Sequence, residues 1–217
     1  MSTVAVYVHG LWLNGWEGSL LCHRVGQQLG CRTRQFPYPS VSSGMAANVA
    51  ALGRFLADIP ADTLHLVGHS MGGLLILELF EQELALPPGR VVLLGSPVRG
   101  SQAAQNLARL PLGRQIMGAM AAQALLTPRD YRWSGARELG TVAGNFAFGL
   151  GGLVGHLEAP NDGTVLVEET QLPGATDHRT MHVSHTGLVL SQDVARQTAA
   201  FLQHGRFDSK PNDAMAL

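Results

Sequence analysis

Leu64-His65-Leu66-Val67-Gly68-His69-Ser70-Met71-Gly72-Gly73-Leu74-Leu75-Ile76-Leu77 sets an apolar run, a glycine-flanked serine and a leucine-rich run end to end. Leu64–Val67 predicts a buried strand, and Met71–Leu84 predicts a helix. The turn between them reads G-x-S-x-G at Gly68, Ser70 and Gly72. A strand that reverses at once into a helix forces strained dihedrals on its central residue and brings neighbouring backbone close, so side chains at 68 and 72 would collide. What results is a serine hydroxyl held clear of the turn, beside a helix N-terminus whose amides favour developing negative charge. In a strand–turn–helix setting the pattern points to a nucleophilic serine. The plain alternative is a Gly-Ser turn that only packs a helix on a strand.

Outward from this turn the same rhythm continues. Thr3–His9 is a β-branched run that predicts a buried strand, and Glu17–Leu29 has helical spacing ending at Gly30. Cys31–Phe36 predicts a weaker strand, stopped by Pro37 and Pro39. Met45–Ile59 predicts a helix and Arg90–Leu94 a further strand. Fully apolar strands alternating with helices imply parallel strands joined by helical crossovers. The rhythm breaks after Gly100, where Gln102–Leu126 predicts a helical insertion split at Pro111 and Gly113 and stopped by Pro128. It returns with strands at Leu139–Ala143 and Arg179–Val183 and a helix at Gln192–His204, capped by Ser191 and ended by Gly205. The expected architecture is one α/β domain over 1–208, a mostly parallel central sheet flanked by helices. A small helical cap insertion falls at about 100–130, and 209–217 is expected to be a frayed tail.

Composition narrows the function classes. The 217 residues are 46% hydrophobic and 14% charged, which excludes a disordered chain. Fifteen basic against sixteen acidic residues leave a formal net charge of −1, with Lys210 the only lysine. No basic field exists for nucleic acid or an anionic membrane. Cys22 and Cys31 are too few for a disulfide scaffold; they flank a predicted helix end, where they could bridge, and free thiols are the favoured reading. No basic segment precedes Thr3–Val8, and no apolar stretch is long enough to span a bilayer, so the expected location is cytoplasmic. Oligomeric state is left open.

A serine hydroxyl needs a base, and the base needs an orienting acid. Of nine histidines, His185 in Val183-Ser184-His185-Thr186-Gly187 falls just past a predicted strand end, where open α/β sheets bind ligands. His178 and His182 read as structural, His69 points elsewhere by backbone geometry, and His23 and His204 read as surface residues. For the acid, Asp162 in Pro160-Asn161-Asp162-Gly163 sits on a turn able to present a carboxylate; Glu158 and Asp177 compete. An oxyanion needs two backbone N–H donors, expected from Leu11 after the first strand and from Met71 after the serine. His9 reads as structural. Trp12 and Trp16 fit either a pocket wall or plain core, and Ile116, Met117, Met120, Leu125 and Leu126 give the insertion an apolar face. Histidines at 178, 182 and 185 carry metal-ligand types but lack H-E-x-x-H, so no metal is expected. Asn145–Leu157 has no G-x-G-x-x-G and reads as a glycine-rich pocket wall, so no dinucleotide is expected; nor is any other cofactor.

His9-Gly10, Gly68-His69-Ser70-Met71-Gly72-Gly73, Gly95-Ser96-Pro97 through Gly100-Ser101, Asn161-Asp162-Gly163 before Val165, and Ser184-His185 before Gly187-Leu188 occur in that order. In this the chain resembles the alpha/beta-hydrolase esterases and lipases over about residues 3–204, and looks closest to compact bacterial lipases. The resemblance implies a serine hydrolase acting on a small-molecule carboxylic ester: Ser70 as nucleophile, His185 as base, Asp162 as orienter, and the Leu11 and Met71 amides as oxyanion hole. Gly10-Leu11 departs from the multi-glycine esterases, and the stretch from Ser96 to Leu139 is longer than the most compact lipases carry. The same residues would serve a thioesterase, an amidase or an acyltransferase, and the fold can also act as a binding module with an idle triad.

Overall fold

The computed structural model describes residues 2–82, 84–127, 129–135, 137–148 and 155–208. The expected tail at 209–217, the stop at Pro128 and positions 149–154 of the glycine-rich stretch lie outside them. Strands β1 (Thr3–Val8), β2 (Arg32–Phe36), β3 (Thr63–His69), β4 (Val91–Leu94), β5 (Leu139–Gly144) and β6 (Asp177–Met181) form one sheet in the order β2-β1-β3-β4-β5-β6. Every pairing is parallel. Helices α1 (Ser19–Leu29), α2 (Met45–Ala57), α3 (Met71–Phe80), α4 (Gln102–Ala108), α5 (Gly113–Leu126), α6 (Gly187–Leu190) and α7 (Gln192–His204) supply the crossovers and the insertion.

Strand residues alternate between two cores because successive side chains leave opposite faces of a sheet. Val4, Val6, Val8, Leu64, Leu66, Val91 and Leu93 face a cluster shared with α2, α3 and α5. Tyr7, Val67, Val92, Leu94 and Val142 face a second cluster shared with α1, α6 and α7. Both faces are thus covered, which is why the central strands are apolar throughout rather than alternating. Val8 pairs with Gly68 and His69 with Leu94, so β1, β3 and β4 end level with one another. Their C-terminal loops share one edge, and sheet order reverses direction between β1 and β3, the crevice where such sheets bind ligands.

Several expected boundaries move. The last strand lies two residues earlier than Arg179–Val183, which puts His178 inside it and His182 just beyond it. The helix expected over Met71–Leu84 ends at Phe80, and Glu17–Leu29 divides into a 3-10 turn at Trp16–Gly18 followed by α1. Cys22 is buried and Cys31 half-buried, and both are free. No helix among the described residues is long and apolar enough to cross a membrane.

Candidate active site

Ser70 stands between β3 and α3 with φ 53° and ψ −122°, a conformation that non-glycine residues rarely adopt. The close approaches around it account for the flanking glycines. A Cβ at Gly68 would lie 2.6 Å from the Gly73 Cα, and one at Gly72 would lie 2.2 Å from the Val8 carbonyl oxygen. The Ser70 amide donates to Leu94 O at 2.8 Å, fixing the turn on β4. On the other side, a Cβ at Gly10 would sit 3.1 Å from the Ser70 Cβ. The loop after β1 therefore abuts the serine.

His185 Nδ1 lies 2.7 Å from Asp162 Oδ2. Asp162 is 1% exposed, and its Oδ1 accepts from the amides of Thr164 at 3.0 Å and Val165 at 2.7 Å. The His185 amide returns a bond to Asp162 O at 2.8 Å. A Cβ at Gly95, just past β4, would stand 3.2 Å from His185 Cε1, so the imidazole reaches over the end of β4. Of the competing acids, Asp177 has its carboxylate engaged elsewhere. Asp177 accepts from the amides of His178 and Phe207, while the Glu158 segment is tied to Gln102 and Asn161 through its backbone.

Leu11 lies in the loop after β1, and Met71 is the first residue of α3. Neither amide donates a backbone hydrogen bond among the described residues. His9 bonds across its loop: Nδ1 meets Gly10 O at 2.8 Å, the Tyr38 amide donates to Nε2 at 3.2 Å, and the rings stack with centroids 4.2 Å apart. Trp12 is 48% exposed and Trp16 80%, so neither belongs to the core. The insertion's apolar face is spent inward at Met117, Met120 and Leu125, while Ile116 points outward.

Of two further buried groups, Glu169 is absent from the sequence reading, and His69, expected there to point elsewhere, lies against His185. His69 Nε2 contacts His185 O at 3.2 Å, and burial, reinforced by the neighbouring His185, holds its pKa well below the ordinary imidazole value. Glu169 is buried with Oε1 2.6 Å from the Gln102 amide and Oε2 2.9 Å from the Leu166 amide. It thereby joins the start of α4 to the turn that carries Asp162, and burial pushes its pKa up to about 7. Nothing in Glu168-Glu169 distinguishes the buried carboxylate from the exposed one except the apolar run Val165–Val167 before them.

Residues 5–207 match the profile of the alpha/beta hydrolase family. The chain belongs to that family. Among solved structures, the chain is similar to the Bacillus licheniformis lipase BlEst2 in propeptide form, with TM-score 0.72 and 20% identity over 100% of this chain and 53% of that one. It is also similar to a metagenomic carboxyl esterase, with TM-score 0.60 and 19% identity over 85% of this chain and 64% of that one. A third likeness is the pyrethroid hydrolase PytH, with TM-score 0.67 and 13% identity over 94% of this chain and 98% of that one. The chain spans about half the length of the first and under two thirds of the second. At these identities the likeness is one of fold. No curated protein sequence matches the chain.

Proposed function

We propose that this alpha/beta hydrolase cleaves small carboxylic esters through an acyl-enzyme, without a cofactor. Ser70 attacks the ester carbonyl while His185 takes its proton at Nε2. The Leu11 and Met71 amides receive the oxyanion, the bond to the alcohol breaks, and His185 returns the proton to the leaving oxygen. Water then repeats the sequence on the acyl-enzyme and releases the acid. The observation that carries this reading is the 2.7 Å bond from His185 Nδ1 to a carboxylate whose other oxygen is already held by two amides. Such a carboxylate is fixed in place, so it fixes the imidazole's tautomer and leaves Nε2 as the base.

A p-nitrophenyl ester chain-length series on the wild type and Ser70→Ala tests the reading. Turnover by the alanine variant at the wild-type rate would refute it, as would a folded wild type that takes up no fluorophosphonate. The same groups would act on a thioester or amide, or pass the acyl group to an alcohol. Thioester and anilide substrates separate the first two, and product analysis with added alcohol separates the third.

A further inference from the structure

Trp12, two residues past Gly10, has φ 60°, the left-handed region that a bulky side chain seldom occupies. Two hydrogen bonds accompany that conformation. Its amide donates to Ser40 Oγ at 3.2 Å, and its indole Nε1 donates to Ile116 O at 2.9 Å. The second bond joins the loop after β1 to the helical insertion, across 104 residues of sequence. Ile116 lies two residues before a break in α5 at Gly118, where φ is 79° and ψ 164°. Only glycine takes that conformation readily, and a Cβ there would stand 2.4 Å from Val41 O. Carbonyls in the last turn before such a break lack helical donors, and the indole satisfies one of them. The loop after β1, the loop after β2 and the insertion therefore meet at one knot made by Trp12, Ser40, Val41 and Ile116–Gly118.

We propose that Trp12 is a positioning residue: its indole fastens the insertion to the loop carrying the Leu11 amide, so this oxyanion donor is held in place by the seated insertion. The inference rests on the acyl-enzyme reading above. Leu11 packs against the core on one side of the loop and Gly10 abuts Ser70, so the loop is anchored on two sides. Trp12, next in sequence, is the third anchor, and its indole is hydrogen-bonded directly to the insertion. A donor displaced by about 1 Å can cost a hundredfold in rate, so loosening one anchor of three should appear in kcat rather than in binding.

The test is steady-state turnover of a p-nitrophenyl ester by Trp12→Phe, which keeps an aromatic ring and deletes the donor. The expected result is a fall in kcat of about tenfold, with KM within about twofold and a melting temperature close to wild type. Gly118→Ala, which unseats the insertion from the other end, should give a similar fall. The double variant should be no slower than the slower single, because both break one connection. Should Gly118→Ala fail to fold, Ser40→Ala, which deletes the acceptor of the Trp12 amide, replaces it with the same expectation. An unchanged kcat in Trp12→Phe overturns the proposal. So does a rise in KM at constant kcat, which marks a pocket wall, or losses that multiply in the double variant. Ser70→Ala runs alongside: if it is inactive while Trp12→Phe is normal, only the clamp fails, and if it turns over normally both fail.

Discussion

Replacing Glu169 with glutamine should change the slope of stability against pH, not only its level. An ordinary glutamate ionises near 4.5, whereas burial pushes Glu169 up to about 7. Asp162 and Glu168 add in the same direction, and the two amide donors oppose it without prevailing. The folded state therefore keeps this proton through a pH range in which the unfolded chain has released it, so stability from this group falls as pH rises between the two values. About 2.5 pH units at about 1.4 kcal/mol each give a loss on the order of 3 kcal/mol between pH 4.5 and 7, with no further change above. Glutamine resembles the protonated acid in shape and charge, so Glu169→Gln removes this loss, and its fixed cost from an imperfect amide partner enters equally at every pH. Urea unfolding of both proteins at pH 5 and pH 8 isolates the difference, since the remaining titrating groups cancel. The wild type should lose on the order of 3 kcal/mol relative to the variant over that interval. Parallel pH profiles would refute the reasoning.

Two further outcomes follow from the site. Asp162→Asn keeps the volume and an acceptor for the two amides but no longer selects the imidazole tautomer, so kcat for an ester should fall by about 10³–10⁴ with KM little changed; a loss below tenfold in a folded variant would contradict the assigned role. Gly72→Ala places a Cβ 2.2 Å from Val8 O and 2.5 Å from His9 O, both backbone atoms that cannot swing away. It should destabilise by about 1–3 kcal/mol or more in urea unfolding, and a neutral result would contradict the packing of α3 on β1.

The fold was legible because burial on both faces leaves β1, β3 and β4 as unbroken apolar runs, and the helices between them show their own spacing. The last strand was placed two residues late for a related reason. β6 is an edge strand, Asp177-His178-Arg179-Thr180-Met181, with every residue half-buried, so it presents no apolar run to mark it. Met181 and Val183 drew the expectation toward the C-terminal side. The serine turn was legible because its strand–turn–helix setting is local, although the collision that requires Gly72 is with the Val8 and His9 carbonyls at the end of β1. Trp12 was not, since its exposure and its partner at Ile116 depend on how an insertion a hundred residues away is seated. Glu169 was hidden likewise: its two partners, Gln102 and Leu166, lie on segments joined only by the tertiary fold.

Ser70, Asp162 and His185 come from three separate connections, so sheet register alone does not hold them together. The loop of the proposed base is gripped at both backbone polar atoms of residue 185: its N–H donates to Asp162 O, and its C=O accepts from His69 Nε2. To donate there, His69 must carry its proton on Nε2, which leaves Nδ1 a bare lone pair, buried and without a partner among the described residues. An unpaired buried acceptor costs about 1–3 kcal/mol, so some requirement must outweigh it. The proposed mechanism supplies one. His185 becomes an imidazolium as Ser70 attacks, and its ring centroid lies 4.7 Å from that of His69. A second cation at that separation would oppose the step by about 3.5 kcal/mol at an effective dielectric constant of about 20. Lysine or arginine at 69 could donate to the same carbonyl only at that cost. Histidine donates while burial keeps it neutral, so it can hold the base without opposing the charge the base must acquire.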